Sequence, residues 1–200
     1  YLRSGNPMAY KIAWEMADHY MNVDIQHYAT NKFFEGIAWR HAIGHTGDYY
    51  SVSPFGDNKG YAKASVDLGH WFLEGLVLKY CLTGDIRAIE TAQMVATRYD
   101  RETTRVPYDY GNGRVPGWHL IAIMSVYGAT LDPYHLNTAN LIVERVLERQ
   151  APDGQWTRVM VPGHCYCEPQ CIGSCGFMKA VLLDGLIGYN HEVPSDEVEE

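Results

Sequence analysis

Four long stretches with helical spacing of apolar residues constrain the fold of this chain more than any other feature. Each stretch is bounded by residues that commonly begin or end helices. The first pair runs over residues 69–82, turns at 83–85, and returns as a helix that Asp85 caps, with Glu90 and Arg98 facing outward. The pattern therefore predicts an antiparallel helical hairpin.

The same pattern recurs further along the chain. A second hairpin begins at Gly117, turns at residues 131–133, and places Pro133 in the first turn of its return helix, where the missing N–H costs nothing. A third hairpin begins at Gly176. The helix that follows Pro7 has the character of an outer helix whose inner partner lies upstream.

The first helix of each hairpin is apolar nearly all round, which is typical of a buried helix, and residues 74–77 (EGLV) recur as 184–187 (DGLI). Such self-similarity favours stacked α-hairpins. We therefore predict an all-α fold in which residues 1–200 form a single helical-repeat domain, a fragment of a larger array truncated at both ends. The expected core residues are Leu73, Leu76, Val77, Ile121, Met124, Leu182 and Leu186.

Three long loops, at residues 28–68, 100–116 and 151–175, each precede the start of a buried helix. In a toroid of hairpins these loops gather on one rim, whereas the tight hairpin turns share the opposite rim. Loops of this length are often functional. The expected architecture is therefore part of an (α/α) toroid with long functional loops on one rim.

Composition narrows the classes of partner. The net charge of −8 gives no general attraction for nucleic acid, and no apolar run approaches the roughly 20 residues that cross a bilayer. Tyrosine supplies 15 residues and tryptophan 5, and both side chains suit sugar rings as well as wet clefts and helix packing. We expect neither a nucleic-acid partner nor a membrane partner.

Several segments resemble the (α/α)-barrel carbohydrate-active enzymes, and most of all the helical domain of exo-rhamnogalacturonan-lyase-like proteins. The resemblance implies a six-hairpin toroid that cleaves a uronate-containing polysaccharide by β-elimination. It also implies a secreted or periplasmic protein whose partners are an oligo- or polysaccharide and the remaining repeats of the same parent chain. The segments that carry it are residues 82–85 (LTGD), 153–156 (DGQW), 69–71 (GHW), 74–76 (EGL), and the loop with Arg40, His41, His45, Asp48, Tyr49 and Tyr50.

A lyase must neutralise a uronate carboxylate, remove the proton α to it, and protonate the leaving oxygen. Arginine, histidine and tyrosine serve these tasks, which makes the candidate catalytic residues His70, His41, His45, Tyr49 and Tyr50. The candidate substrate-binding residues are Arg40, Trp71, Tyr108, Tyr110, Arg114, Trp118 and His119. The alternative is structural: these histidines cap or bridge loop backbone. If functional, seven of these residues should border one concave pocket on the rim: His41, His45, Tyr49, Tyr50, His70, Tyr108 and Trp118.

Two other functions stay open. A glycoside hydrolase on the same toroid needs two carboxylates, for which the candidates are Asp48, Asp67, Asp109, Glu168 and Glu74. The second is a non-catalytic helical repeat domain that binds a partner along its rim, and such a domain needs no pair of catalytic carboxylates. Abundant aromatic and histidine residues in the loops favour an enzyme over a binding domain.

The third loop holds four cysteines within eleven positions, beside a histidine: His164, Cys165, Cys167, Cys171 and Cys175. These side chains are sufficient ligands for tetrahedral zinc. Disulfides are the alternative in an exported protein, and the non-standard spacing favours them. Some (α/α)-barrel arabinofuranosidases hold zinc with a glutamate and cysteines, but the adjacent cysteines of that pattern are absent here. Cys81 is expected to be a buried thiol.

Overall fold

The structure is a computed structural model, and it describes residues 1–30, 32, 35–38, 69, 71–104, 110–160, 165–194 and 198. These residues form six α-helices and a single pair of two-residue strands, so the predicted all-α class is confirmed. The backbone divides into two compact units, Tyr1–Arg98 and Tyr99–Glu200. None of the described helices has the length and apolarity needed to cross a membrane.

In the first unit, helix α1 (Pro7–His19) continues into a π-helix (Tyr20–Asp24), and α2 (Glu74–Thr83) follows. Helix α3 (Ile86–Thr103) begins in the first unit and ends in the second, which starts at Tyr99. Asn6 caps α1 by accepting a hydrogen bond from the backbone N–H of Met8 at 2.9 Å. Gly84 ends α2 with a φ of 72°, and Asp85 accepts from the N–H of Arg87 at 3.2 Å to begin α3. The predicted turn at residues 83–85 is therefore confirmed.

The second unit contains α4 (Arg114–Thr130), α5 (Pro133–Glu148) and α6 (Gly176–Glu192), with α4 packed against both others. Asp132 caps α5 and Pro133 occupies its first turn, as predicted. Between α5 and α6, strands β1 (Arg158–Val159) and β2 (Ile172–Gly173) pair in antiparallel register.

Two helix starts differ from the prediction. Helix α2 begins at Glu74 rather than Gly69, with Trp71 and Leu73 fully buried ahead of it. An acidic side chain in the first turn stabilises the positive end of the helix dipole, which favours this start. Helix α4 begins at Arg114, three residues before Gly117, because Pro116 is tolerated in a first turn.

The core prediction is right at six positions and wrong at Ile121, which is only half-buried. Arg114, Trp118, Ile121 and Ser125 recur every three or four residues, so they share one face of α4, and all four are half-buried. Ile123, on another face, is 0% exposed.

Arg98 is 1% exposed, so the prediction that it faces outward is wrong. The segment at residues 35–38 covers this part of α3. A Cβ atom built on Gly36 would lie 3.1 Å from the Cβ of Arg98 and 3.0 Å from the carbonyl oxygen of Met94. Gly36 has a φ of 77°, and its lack of a side chain permits this close approach.

Helices α4 and α6 approach each other through glycines. A Cβ atom on Gly117 would lie 2.6 Å from backbone atoms of Val181 and Leu182, and one on Gly185 would lie 2.8 Å from the carbonyl oxygen of Gly117.

The expectation that the apolar helices are buried all round holds only in part. Helices α2 and α6 each leave apolar side chains exposed, namely Leu78, Leu82, Leu183 and Ile187.

Candidate functional site

The cysteine-rich loop of the second unit is anchored at both of its described ends. At its start, the indole N–H of Trp156 donates to the carbonyl oxygen of Val146 in α5 at 2.7 Å. Nearer its end, the backbone N–H of Met160 donates to the carbonyl oxygen of Cys171 at 2.9 Å, which extends the β1–β2 pairing by one residue. Strand pairing therefore fixes the backbone of Cys171.

The sulfur atoms of Cys165, Cys167 and Cys171 all lie within 4.8 Å of one another. The backbone N–H of Cys167 points to the Cys165 sulfur at 3.4 Å. Cys165 is buried, whereas Cys167 and Cys171 are exposed. The cluster therefore has one side against the protein and one side open to solvent.

Hydrogen bonds within the cluster favour one thiolate. The Cys171 side chain, and then the backbone N–H groups of Cys171 and Cys167, stabilise the charged form and lower the pKa of Cys165 to about 7. The same shared proton raises the pKa of Cys171 to about 11. Cys165 is therefore a substantially ionised thiolate near neutral pH, and thiolates are the form that binds metal.

The five cysteines carry no disulfide, and the spacing of the clustered sulfurs suits a metal. Tetrahedral zinc with zinc–sulfur distances of about 2.3 Å separates its ligands by about 3.8 Å, whereas bonded sulfurs lie about 2.05 Å apart. Three thiols that lie within 4.8 Å of one another could thus hold a metal ion after small side-chain movements.

Of the four predicted cysteines, three lie in this group; Cys175 is not one of them and occupies the N-cap position of α6, without a side-chain capping hydrogen bond. Strand β2 follows Cys171, and an extended chain advances about 3.3 Å per residue, so it carries the backbone away from the cluster. Glu168 also lies outside the group. His164 is outside the described residues. Cys81 is exposed in α2, so the prediction of a buried thiol is wrong.

Most of the candidate lyase residues lie outside the described residues. They are Arg40, His41, His45, Tyr49, Tyr50, His70 and Tyr108, together with the candidate carboxylates Asp48, Asp67 and Asp109. Glu74 is exposed at the start of α2. The predicted rim pocket therefore stays a prediction.

The remaining candidate binding residues separate into two groups. Trp71, Tyr110 and His119 are 0%, 6% and 1% exposed, so their side chains lie in the interior. Arg114 and Trp118 are half-buried and lie one turn apart on the same face of α4. A guanidinium and an indole at this spacing could contact a carboxylate and a sugar ring together.

A buried polar cluster in the second unit was not indicated by the sequence. Asp100 accepts hydrogen bonds from the hydroxyls of Thr104 and Tyr134. Arg145 donates to the carbonyl oxygen of Thr104 and, at 3.3 Å, to the hydroxyl of Tyr110. The guanidinium of Arg145 thus donates hydrogen bonds both to Thr104 and to Tyr110. Charged residues at helical spacing are typical of exposed helix faces, so the sequence pattern does not predict that Asp100 and Arg145 take part in a buried cluster.

His119 lies beside this cluster. Its ring stacks on that of Tyr99 with the centroids 5.1 Å apart, and burial lowers its pKa to about 3. Desolvation disfavours the imidazolium form, so His119 is neutral across the physiological pH range.

Comparison with known proteins adds no assignment: no protein-family model, curated protein or solved structure matches the chain.

Proposed function

We propose that this chain is part of a carbohydrate-active enzyme in which Cys165, Cys167 and Cys171 bind zinc. The close approach of these three sulfur atoms carries the proposal. Soft thiolate ligands select zinc, copper(I) or iron–sulfur clusters, and of these zinc needs no redox partner. A zinc ion there would act as a Lewis acid.

The activity that this cluster favours is that of a glycoside hydrolase that depends on zinc and cysteine. Catalytic zinc sites typically have three protein ligands and one further position, whereas structural sites are closed by four. Cys167 and Cys171 lie at the surface, where a polymer could reach them, and the exposed Tyr166 stands between two of the ligands. An exposed tyrosine ring can pack on a sugar face.

A polysaccharide lyase is the second candidate, and Arg114 and Trp118 favour it. The Arg114 side chain can pair with a uronate carboxylate, and Trp118, one turn away, can stack on the ring that carries it. The positive charge of Arg114 locally offsets the net charge of −8, which would otherwise repel an acidic polymer.

The (α/α) toroid is part of this proposal. Its support is the antiparallel α4–α5 hairpin, followed by α6 packed on α4 through glycines. Such helix-on-helix packing with short hairpin turns is how repeat arrays extend. Secretion or export to the periplasm follows from the proposed substrate, because polysaccharides lie outside the cell.

The metal site is tested by measuring bound zinc in the purified chain and in single serine variants. Cys165→Ser, Cys167→Ser and Cys171→Ser should each lose most of the zinc, because a site with two thiolates binds it weakly. Cys175→Ser and Cys81→Ser are the matched controls and should retain it. Zinc-free wild-type protein after incubation with excess zinc would contradict the proposal.

The activity is tested by incubating the chain with a panel of neutral and uronate-containing polysaccharides. New reducing ends without ultraviolet absorbance indicate hydrolysis, and they should disappear after zinc is removed with a chelator. New reducing ends with the absorbance of an unsaturated uronate indicate a lyase instead. If every polysaccharide in the panel remains uncleaved, both proposed activities are contradicted.

A further inference from the structure

Helices α2 and α6 contain a similar four-residue motif but differ in which residues around it are covered. The segment Glu74, Gly75, Leu76 in α2 matches Asp184, Gly185, Leu186 in α6. In this register Leu73 and Val77 correspond to Leu183 and Ile187, and Phe72 corresponds to Leu182. The two helices can therefore be compared position by position.

In α6, the face that contains Gly185 is covered. A Cβ atom on Gly185 would lie 2.8 Å from the carbonyl oxygen of Gly117 and 2.9 Å from the Cβ of Leu120, both in α4. The opposite face of α6 is open, because Leu183 is 49% and Ile187 68% exposed. Among the described residues, helix α6 therefore has a neighbour on its glycine face and none that covers its leucine–isoleucine face.

In α2 the exposure of the glycine and of the apolar pair is the opposite. A Cβ atom on Gly75 would meet no atom within 4 Å, and Leu78, three residues further along the same face, is 47% exposed. The residues that correspond to the open face of α6 are covered here: Leu73 is 0% and Val77 7% exposed. The glycine is thus open in α2 and covered in α6, and the apolar pair is covered in α2 and open in α6, whereas Leu76 and Leu186 are buried in both helices.

The open face of α2 forms one side of an apolar cleft of about 380 Å³ in the first unit. Gly75, Leu78 and Leu82 line it from α2, and Tyr10 and Trp14 line it from α1. Glycine at position 75 leaves room for another helix to approach closely, as Gly185 does for α4. The cleft therefore has the form of a vacant helix-packing groove.

Charge is also complementary between the two open faces. Arg3, an exposed cation, lies at the edge of the α2 cleft. Asp184, an exposed anion, lies next to Leu183 on the open face of α6. Opposite charges at the rim of an apolar contact favour one pairing of surfaces over others.

We propose that the open face of α6 in one copy of this chain packs into the α2 cleft of a second copy. The contact continues the α4–α6 packing by one more helix, with Leu183 and Ile187 in the cleft and Gly75 at the closest approach. Because the two surfaces differ, the association is head to tail: one copy keeps a free α2 cleft, the other keeps a free α6 face, and further copies can add at either end.

The head-to-tail arrangement makes a specific prediction for two variants studied by light scattering after size separation. Ile187→Glu blocks only the α6 face, and Leu78→Glu blocks only the α2 cleft. Each variant alone should be monomeric, whereas an equal mixture should form a one-to-one dimer, because each contributes the surface that the other lacks. The wild-type chain should form larger species as its concentration rises.

Gly75→Leu and Ile12→Glu complete the test. Gly75→Leu adds a side chain into open space in the monomer, so the chain should fold, but the larger residue should prevent association. Ile12, 49% exposed on α1 and outside the cleft lining, is the matched control, and Ile12→Glu should associate like wild type. A monomeric wild-type chain at all concentrations, or a monomeric mixture of the two blocking variants, would overturn the proposal.

Discussion

At the scale of single residues, burial of His119 should make stability depend on acidity. The pKa of His119 is about 3 in the folded chain and about 6.5 in an unfolded one. Between these values the unfolded chain binds a proton that the folded chain does not, so the free energy of unfolding falls as pH falls through this window. The loss from this residue should reach roughly 3 kcal/mol by pH 4.

The measurement is urea unfolding at pH 7 and pH 4 for wild type and for His119→Gln, which keeps a polar side chain but does not titrate. Other acid-sensitive groups are common to both proteins, among them His135, whose pKa is also lowered by burial. Wild type should therefore lose more stability than the variant between the two pH values. Equal losses would show that His119 is not held neutral by burial.

At the scale of helices, two glycines of α4 should respond oppositely to alanine. A Cβ atom on Gly117 would lie 2.6 Å from backbone atoms of α6, which cannot move aside as a flexible side chain could. Gly117→Ala should thus cost about 2–3 kcal/mol. Gly128 has no atom within 4 Å of its Cβ position, so Gly128→Ala should stabilise by about 0.5–1 kcal/mol. Thermal unfolding of the two variants checks the contrast, and equal shifts would contradict the glycine contact.

The helix ends show what local sequence can and cannot predict. The caps at Asp85 and Asp132 were predictable because capping needs only the residue and its neighbours two or three positions away. The burial of Arg98 was not predictable, because it depends on the segment at residues 35–38, which is distant in sequence. The apolar pattern predicts a start of α2 that is too early, because Trp71 and Leu73 continue the pattern without being helical.

At the scale of the whole molecule, the sequence located the cysteine loop but not its geometry. Four clustered cysteines among glycines and prolines already indicated metal binding or disulfides. Which three sulfurs meet depends on the β1–β2 pairing and on the start of α6, and neither had a clear sequence signal. Repetition indicated stacked hairpins in the same way, but not which face of each helix would remain open.

The central claim is that three cysteines of this chain bind zinc, and X-ray absorption fine structure at the zinc edge tests it most directly. The zinc-loaded full chain should show three sulfur neighbours at about 2.3 Å and one lighter neighbour at about 2.0–2.2 Å. Four sulfur neighbours would place Cys175 in the site and contradict the cluster of Cys165, Cys167 and Cys171. A shell of oxygen and nitrogen alone would contradict the thiolate site altogether.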